Sequence, residues 1–189
     1  ELVDAHCHLE SEEFEGQVDP VLAEARAAGV VKLVTAAVEP GQWGTSAGLA
    51  ACYPEVAFAV GVHPWFVREE FEEKLGELAC VAERGACAIG EIGLDKKIET
   101  PSLELQQLFF EEQIRIAEEI GLPIVVHCRG AFGELLACLK RVGAPSRGGV
   151  VHAFSGSVEL AEELIGFGFS FSLGASLTYR NSKKRAAIL

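Results

Sequence analysis

Short, continuously apolar runs alternate with longer amphipathic stretches along almost the whole chain. The runs Val30 to Ala36, Val56 to Val62, Ala86 to Gly90, Pro123 to Val126, Gly149 to Val151 and Phe169 to Leu173 predict strands. Leu2-Val3-Asp4-Ala5-His6-Cys7-His8 predicts another at the start of the chain. Helical spacing lies between them, in Val18, Leu22 and Ala25 (closed by Gly29), in Gln42 to Cys52, and in Phe71, Leu75, Leu78, Ala79 and Ala82. Asp19-Pro20 reads as the N-cap and first helical position of the first of these. Further helices are expected from Thr100-Pro101 to Ile120, with Leu105, Leu108, Phe109, Ile116 and Ile120 on the buried stripe, then from Phe132 to Val142, Val158 to Phe167 and Arg180 to Leu189.

Strands that are apolar throughout, without alternation, belong to a parallel sheet covered on both faces. Seven strand–helix units of roughly 25 to 30 residues match the repeat of a (β/α)8 barrel, the TIM-barrel type. The rival is an open doubly wound sheet, but no Gly-x-Gly-x-x-Gly follows the first strand. No linker or second domain interrupts the pattern, so residues 1–189 read as a single domain. In a barrel, the C-terminal ends of the strands meet at one mouth.

Charge narrows the function classes. The 28 acidic and 16 basic residues give a formal net charge of −12, which argues against a broad basic surface gripping nucleic acid. Bound cations could still supply positive charge locally to a phosphate substrate. Lys96-Lys97 and Lys183-Lys184-Arg185 are tight basic clusters, and their default reading is solvated charge. Six cysteines without a Cys-x-x-Cys pair, lying mostly in apolar patterns, read as free, reduced, buried thiols. With no run of eighteen apolar residues and no signal-peptide pattern at the first residue, a cytoplasmic protein is expected.

The polar residues at the ends of the apolar runs carry the candidate chemistry. His6 and His8, at i and i+2, fall on one face of a strand, with Cys7 pointing the other way. Glu91, His127 and His152 end three later runs. A lone histidine there is more often a hydrogen-bonded polar residue, but five such groups at the same end of four strands point to a metal site. Imidazole and carboxylate together suit zinc, manganese or iron, and magnesium less well.

Five segments make the pattern more specific: His6-Cys7-His8, His63-Pro64, Gly90-Glu91-Ile92-Gly93-Leu94-Asp95, Val126-His127-Cys128-Arg129 and His152-Ala153-Phe154-Ser155-Gly156. In order and spacing, across essentially the whole chain, they resemble the motifs of the TatD-type metal-dependent deoxyribonucleases, amidohydrolase-like (β/α)8 barrels. The resemblance implies two divalent metal ions (zinc, manganese or magnesium), one held by His6 and His8, the other by His127 and His152, with Glu91 bridging. It implies hydrolysis of DNA phosphodiesters by metal-activated water, exonucleolytically, on single strands or ends. Arg129 would clamp phosphate, His63 would lie near the substrate phosphate, and Ser155 would offer it a hydroxyl, while Ser157 caps the following helix. Asp95 would organise its loop without ligating. Trp65 and Phe66 would stack on a base or pack over the third helix.

Two departures from that family stand out. The family's eighth strand, with an acidic-Thr-Asp motif that carries a further metal ligand, has no counterpart, so the chain is expected to be C-terminally incomplete. Gly130 stands where the family commonly has an acidic residue. Two other functions remain open at this point: hydrolysis of a small-molecule ester or amide at the same centre, and a truncated, non-catalytic metal-binding remnant.

Overall fold

The strands form because their residues are β-branched or apolar and flanked by glycine, and they assemble in chain order. The computed structural model describes residues 1–174, so the expected helix from Arg180 to Leu189 and the Lys183-Lys184-Arg185 cluster lie outside the described residues. Seven strands are seen: β1 (Leu2–Cys7), β2 (Val30–Ala36), β3 (Val56–Val60), β4 (Ala88–Asp95), β5 (Ile124–Arg129), β6 (Gly149–Val151) and β7 (Phe169–Phe171). All neighbouring pairs are parallel and the order is β1 through β7 without a crossover. A doubly wound sheet reverses its strand order at a switch point, so this topology excludes it. The strands form a curled arc carrying seven units of the (β/α)8 architecture. Among the described residues the outer edges of β1 and β7 are unpaired, and Leu2 and Val3 are 59% and 62% exposed.

The connecting helices are α1 (Val18–Ala27), α2 (Trp43–Cys52), α3 (Glu72–Ala82), α4 (Leu103–Ile120), α5 (Phe132–Val142) and α6 (Val158–Gly166). They cover the outer face of the sheet. Bulky Phe58, Ile89, Ile124 and Val126 point outward into a core with Leu78, Phe109, Phe110 and Leu135. Their strand neighbours Ala59, Ala88 and Val125 form a separate, small-residue cluster with Ala36. Each large aliphatic side chain buried under the helices contributes about 1.5–3 kcal/mol.

Several boundaries differ from the sequence expectation. Helix α1 starts at Val18, not at Asp19-Pro20, because a proline is accommodated anywhere in a first turn, where its missing N–H has no helical acceptor. Asp19 instead accepts a hydrogen bond from the Tyr53 hydroxyl at 2.9 Å. Helix α4 is capped by Ser102, whose hydroxyl accepts from the Leu105 N–H, and it closes on Gly121 at φ 69°. Its buried residues are Gln106, Phe109, Phe110, Glu111, Gln113, Ile114, Ile116 and Ala117; of the expected stripe Phe109 and Ile116 are buried, Leu105 and Ile120 pack part-buried against the core, and Leu108 is 62% exposed. Strands β4 and β5 outrun their apolar cores to Asp95 and Arg129, because the pairs Gly93–His127, Leu94–Cys128 and Asp95–Arg129 continue the backbone ladder irrespective of side-chain polarity.

All six cysteines are free, but the expectation that they are buried fails for Cys52, Cys80 and Cys87, which are exposed. Cys80 falls between the Leu75, Leu78 and Ala82 positions that form the buried stripe of α3. Among the described residues, no helix is long and apolar enough to cross a membrane.

Candidate metal centre

Strand β4 is buried along its full length. Ile92 and Leu94 turn outward into the helix-covered core, leaving Glu91 and Asp95 to the other face. Gly93 makes this arrangement possible: its φ is +140°, and a Cβ there would stand 2.0 Å from the His127 carbonyl oxygen. The resulting close approach of β4 and β5 sets Glu91 beside His127.

All five histidines of the chain converge on Glu91, which is 2% exposed. Its Oε2 faces His6 Nε2 at 3.1 Å and His8 Nε2 at 3.4 Å. Its Oε1 faces His152 Nε2 at 2.7 Å, His127 Nδ1 at 3.2 Å and His63 Nε2 at 3.6 Å. Within each group the nitrogens are also close, 3.1 Å between His6 and His8 and 3.3 Å between His127 and His152. Burial pushes the Glu91 pKa up, but hydrogen bonds from His127, His152, His6 and His8 outweigh it and hold the group well below the usual carboxylate range.

A divalent ion fits this donor set. Four tetrahedral bonds of 2.0–2.1 Å put neighbouring donor atoms about 3.3 Å apart, close to the spacings seen on both sides of Glu91. Two triads meet the spacing for one ion each, His6–His8–Glu91 and His63–Glu91–His127. Five imidazoles also exceed the roughly four lone-pair sites of one carboxylate, so hydrogen bonding to Glu91 alone does not account for the convergence.

A family model described as TatD related DNase matches residues 3–189. The chain belongs to this family. It is 36% identical over 191 residues to the uncharacterized metal-dependent hydrolase YjjV of Escherichia coli K12, covering 99% of this chain and 73% of that protein. It is 31% identical over 203 residues to the putative deoxyribonuclease TATDN3 of Mus musculus, covering 97% of this chain and 67% of that one. The crystal structure of E. coli YjjV superposes with a TM-score of 0.91 over 99% of this chain and 73% of that chain. A TatD-family hydrolase structure from Entamoeba histolytica, at 23% identity and a TM-score of 0.80 over 91% of this chain and 64% of that one, shares the fold.

This TatD-family chain supports its inner histidines with further polar groups. His8 Nδ1 lies 2.9 Å from the Ala36 carbonyl and 3.1 Å from Glu10 Oε1. Burial pulls the His8 pKa down, but hydrogen bonds to Glu10 and Glu91 prevail and push it up to about 10. His63 is 5% exposed and burial lowers its pKa to about 3. Its Nδ1 accepts from the Trp65 backbone N–H at 3.1 Å, so the neutral ring carries its proton on Nε2, the atom facing Glu91. His63 therefore presents an N–H donor to the centre, which suits a substrate oxygen better than a metal ion.

Asp95, fully buried, accepts from the Trp65 indole N–H at 2.7 Å and the Lys97 backbone N–H at 2.8 Å, and faces His127 Nε2 at 3.2 Å. Burial raises its pKa, and these bonds, Trp65 foremost, bring it below the usual range. The expected loop-organising contact is present through Lys97, and Asp95 also touches His127. Trp65 is 49% exposed and, with Phe66, lines the cleft that holds the centre. Arg129 is exposed, 3.8 Å from Asp95 Oδ2, and with Ser155, His127 and His152 it lines a cleft of about 330 Å³. Ser157 caps α6. Lys96 pairs with Glu134, and the Lys97 stem lies over Gly130, whose φ of +68° favours glycine over an acidic side chain.

The sequence reading missed three residues. Glu10, 7% exposed, sits behind His8. Gln106 and Gln113 each bracket one strand end from α4: Gln106 accepts from Asp95 N–H and donates to its carbonyl, and Gln113 does the same for Val62. Their signal was available, as two amides seven residues apart on the face of α4 that also holds Phe109 and Phe110.

Proposed function

We propose that this chain is a metal-dependent deoxyribonuclease that removes nucleotides from DNA ends at a two-metal centre. The observation that carries the reading is the division of Glu91, one oxygen toward His6 and His8 and the other toward His127 and His152. That division supports a bridging carboxylate between two ion positions, with His6 and His8 as ligands on one side and His127 and His152 on the other. Bound there, zinc, manganese or magnesium would polarise the phosphoryl group and make water a competent nucleophile near neutral pH.

The chain's own residues do the remaining work. His63 donates its Nε2–H to a phosphoryl oxygen. Arg129 pairs with the neighbouring phosphate from the rim, and Ser155 adds a contact in the same cleft. The centre itself opens into a cleft of about 660 Å³ whose lining holds Glu91 and four of its histidines, with Phe14, Val38, Trp65 and Phe66 among its apolar residues and Glu10 and Glu13 among its acidic ones. Such a surface accepts one uncharged nucleoside by stacking and repels further phosphates. The cleft that Arg129 lines shares His127 and His152 with this one, so the polyanion is drawn there and a terminal nucleoside is left for the acidic cleft, which supports cleavage from an end.

Purified chain with manganese or magnesium should shorten linear single-stranded DNA and leave a circular single strand intact, and His127→Ala should abolish the activity. Turnover surviving that substitution refutes the centre, and equal cleavage of the circle refutes end-directed action. The acidic rim and net charge of −12 favour one rival, hydrolysis of a neutral ester or cyclic amide. A parallel assay on such compounds separates the two, since the nuclease leaves them unchanged.

A further inference from the structure

A neutral imidazole carries one N–H and one lone pair, so whatever faces its outer nitrogen decides which nitrogen is free for a metal. The outer nitrogen of His8 is Nδ1, 2.9 Å from the Ala36 carbonyl, a group that only accepts. Beside it Glu10 Oε1 lies 3.1 Å away. Glu10 is held as an acceptor: the Thr35 hydroxyl accepts from the Leu9 N–H at 3.0 Å and donates its own O–H to Glu10 Oε2. A metal ligand keeps only one ring proton, and His8 would keep the one on Nδ1, leaving Nε2, 3.4 Å from Glu91 Oε2, as the binding nitrogen.

His127 is arranged the other way round. Its outer nitrogen is Nε2, 3.2 Å from Asp95 Oδ2. That oxygen already accepts from the Trp65 indole, and Oδ1 accepts from Lys97 N–H, so the carboxylate faces donors on both oxygens. As a metal ligand His127 would keep its proton on Nε2, leaving Nδ1, 3.2 Å from Glu91 Oε1 and 3.3 Å from His152 Nε2, as the binding nitrogen. His6 has no such device: its Nδ1 is buried without a hydrogen-bond partner among the described residues.

We propose that Glu10 and Asp95 are positioning residues that fix His8 and His127 in opposite ring tautomers, so that one metal position is served through His8 Nε2 and the other through His127 Nδ1. This rests on the metal-centre reading above and adds to it which nitrogen binds and what enforces it. Both carboxylates are almost removed from water, 7% exposed for Glu10 and 0% for Asp95, so no solvent competes for the imidazole protons. Asp95 also ties His127 to Trp65, so the aromatic side chain exposed at the mouth and the inner ligand share one anchor.

The test uses the zinc-loaded chain with 15N-labelled histidine and reads long-range 1H–15N correlations, which distinguish a protonated from a metal-bound ring nitrogen. The expected spectrum has His127 protonated at Nε2 and metal-bound at Nδ1, and His8 the reverse. In chelator competition, Asp95→Asn and Glu10→Gln should each weaken zinc binding 10- to 100-fold, because an amide cannot accept on both sides. The wild-type spectrum decides the matter even where a variant fails to fold. Zinc on Nε2 of His127 or Nδ1 of His8, or undiminished affinity in a folded variant, overturns the proposal and leaves the nuclease reading standing. Zinc bound in the expected pattern by a chain that leaves DNA intact does the opposite. A chain that takes up no zinc overturns both.

Discussion

Gly93→Ala is the most demanding test of how this backbone builds its centre. Two separate costs arise. The first is conformational: at φ +140° an alanine is strained by about 1–3 kcal/mol. The second is steric, because the new Cβ would lie 2.0 Å from the His127 carbonyl oxygen and 2.9 Å from its carbonyl carbon. Backbone is not a flexible side-chain tip, so β5 has to retreat by roughly 1.5 Å to reach ordinary contact. That retreat opens the ladder at the Gly93–His127 pair and strains the Ile92–Val126 and Leu94–Cys128 pairs beside it. Overpacking of this kind costs about 1–3 kcal/mol, giving a combined loss of about 2–6 kcal/mol.

Against a usual domain stability of about 5–15 kcal/mol, this is a large fraction. Urea unfolding followed by far-UV circular dichroism should show a lower midpoint at nearly unchanged slope. Gly48→Ala is the control. Gly48 lies inside α2 with nothing within 4 Å of the added methyl, so the same substitution should stabilise by about 0.5–1 kcal/mol. A Gly93→Ala midpoint within about 0.5 kcal/mol of wild type would refute the account of β4 against β5. So would a loss at Gly48 equal to that at Gly93.

Three further outcomes follow from particular contacts. Gln113→Leu strands the Val62 N–H and carbonyl in the core, at about 1–3 kcal/mol for each unpaired group, and a variant as stable as wild type in urea would refute the bracket. Glu111, buried on α4 and paired with Arg141 of α5, has its pKa lowered in the fold, where the Arg141 bond overcomes burial. Its stabilisation is therefore full above the ordinary glutamate range of about 4.3 and is lost as pH falls through the lower folded value. The difference in thermal midpoint between wild type and Glu111→Gln should hold from pH 6 to about pH 5 and shrink from there to about pH 3, and a constant difference would count against the ion pair. In native protein a thiol reagent should label the exposed Cys52 and Cys80 at once and spare Cys138, which is 0% exposed and whose thiol burial and then Glu111 push up to about 11.

The strands and helices were legible wherever the apolar pattern alone decided them. Val30–Ala36, Phe132–Val142 and Gly149–Val151 have the ends that their hydrophobic runs announce. The pattern failed at the strand ends that matter most. Glu91 to Asp95 and His127 to Arg129 are strand, held by a backbone ladder that carries no trace in side-chain hydropathy. On α4 one expected position departs for a related reason: Leu108 has the hydropathy of a core residue, yet the stripe facing the sheet takes Gln106 and Gln113 because the backbone groups of Asp95 and Val62 are answered there.

The same division holds within the site. His6, His8, His127 and His152 could be picked out because histidine is scarce and each lies at the end of an apolar run, and Glu91 because it closes such a run too, whereas Glu10, like Glu91 one of 28 acidic residues, has no such place. What singles it out is Thr35, 25 positions away, whose hydroxyl is already committed to Leu9 and so directs its proton at Glu10. Asp95 is the same case, visible as part of a motif but given its meaning by Trp65 and His127, 30 and 32 positions away. Inner groups are chosen by what they are, and outer groups by what is brought against them. The chemistry of a centre such as this is therefore readable along the chain, while the orientation of its rings emerges only once the parallel strands have set those distant partners side by side.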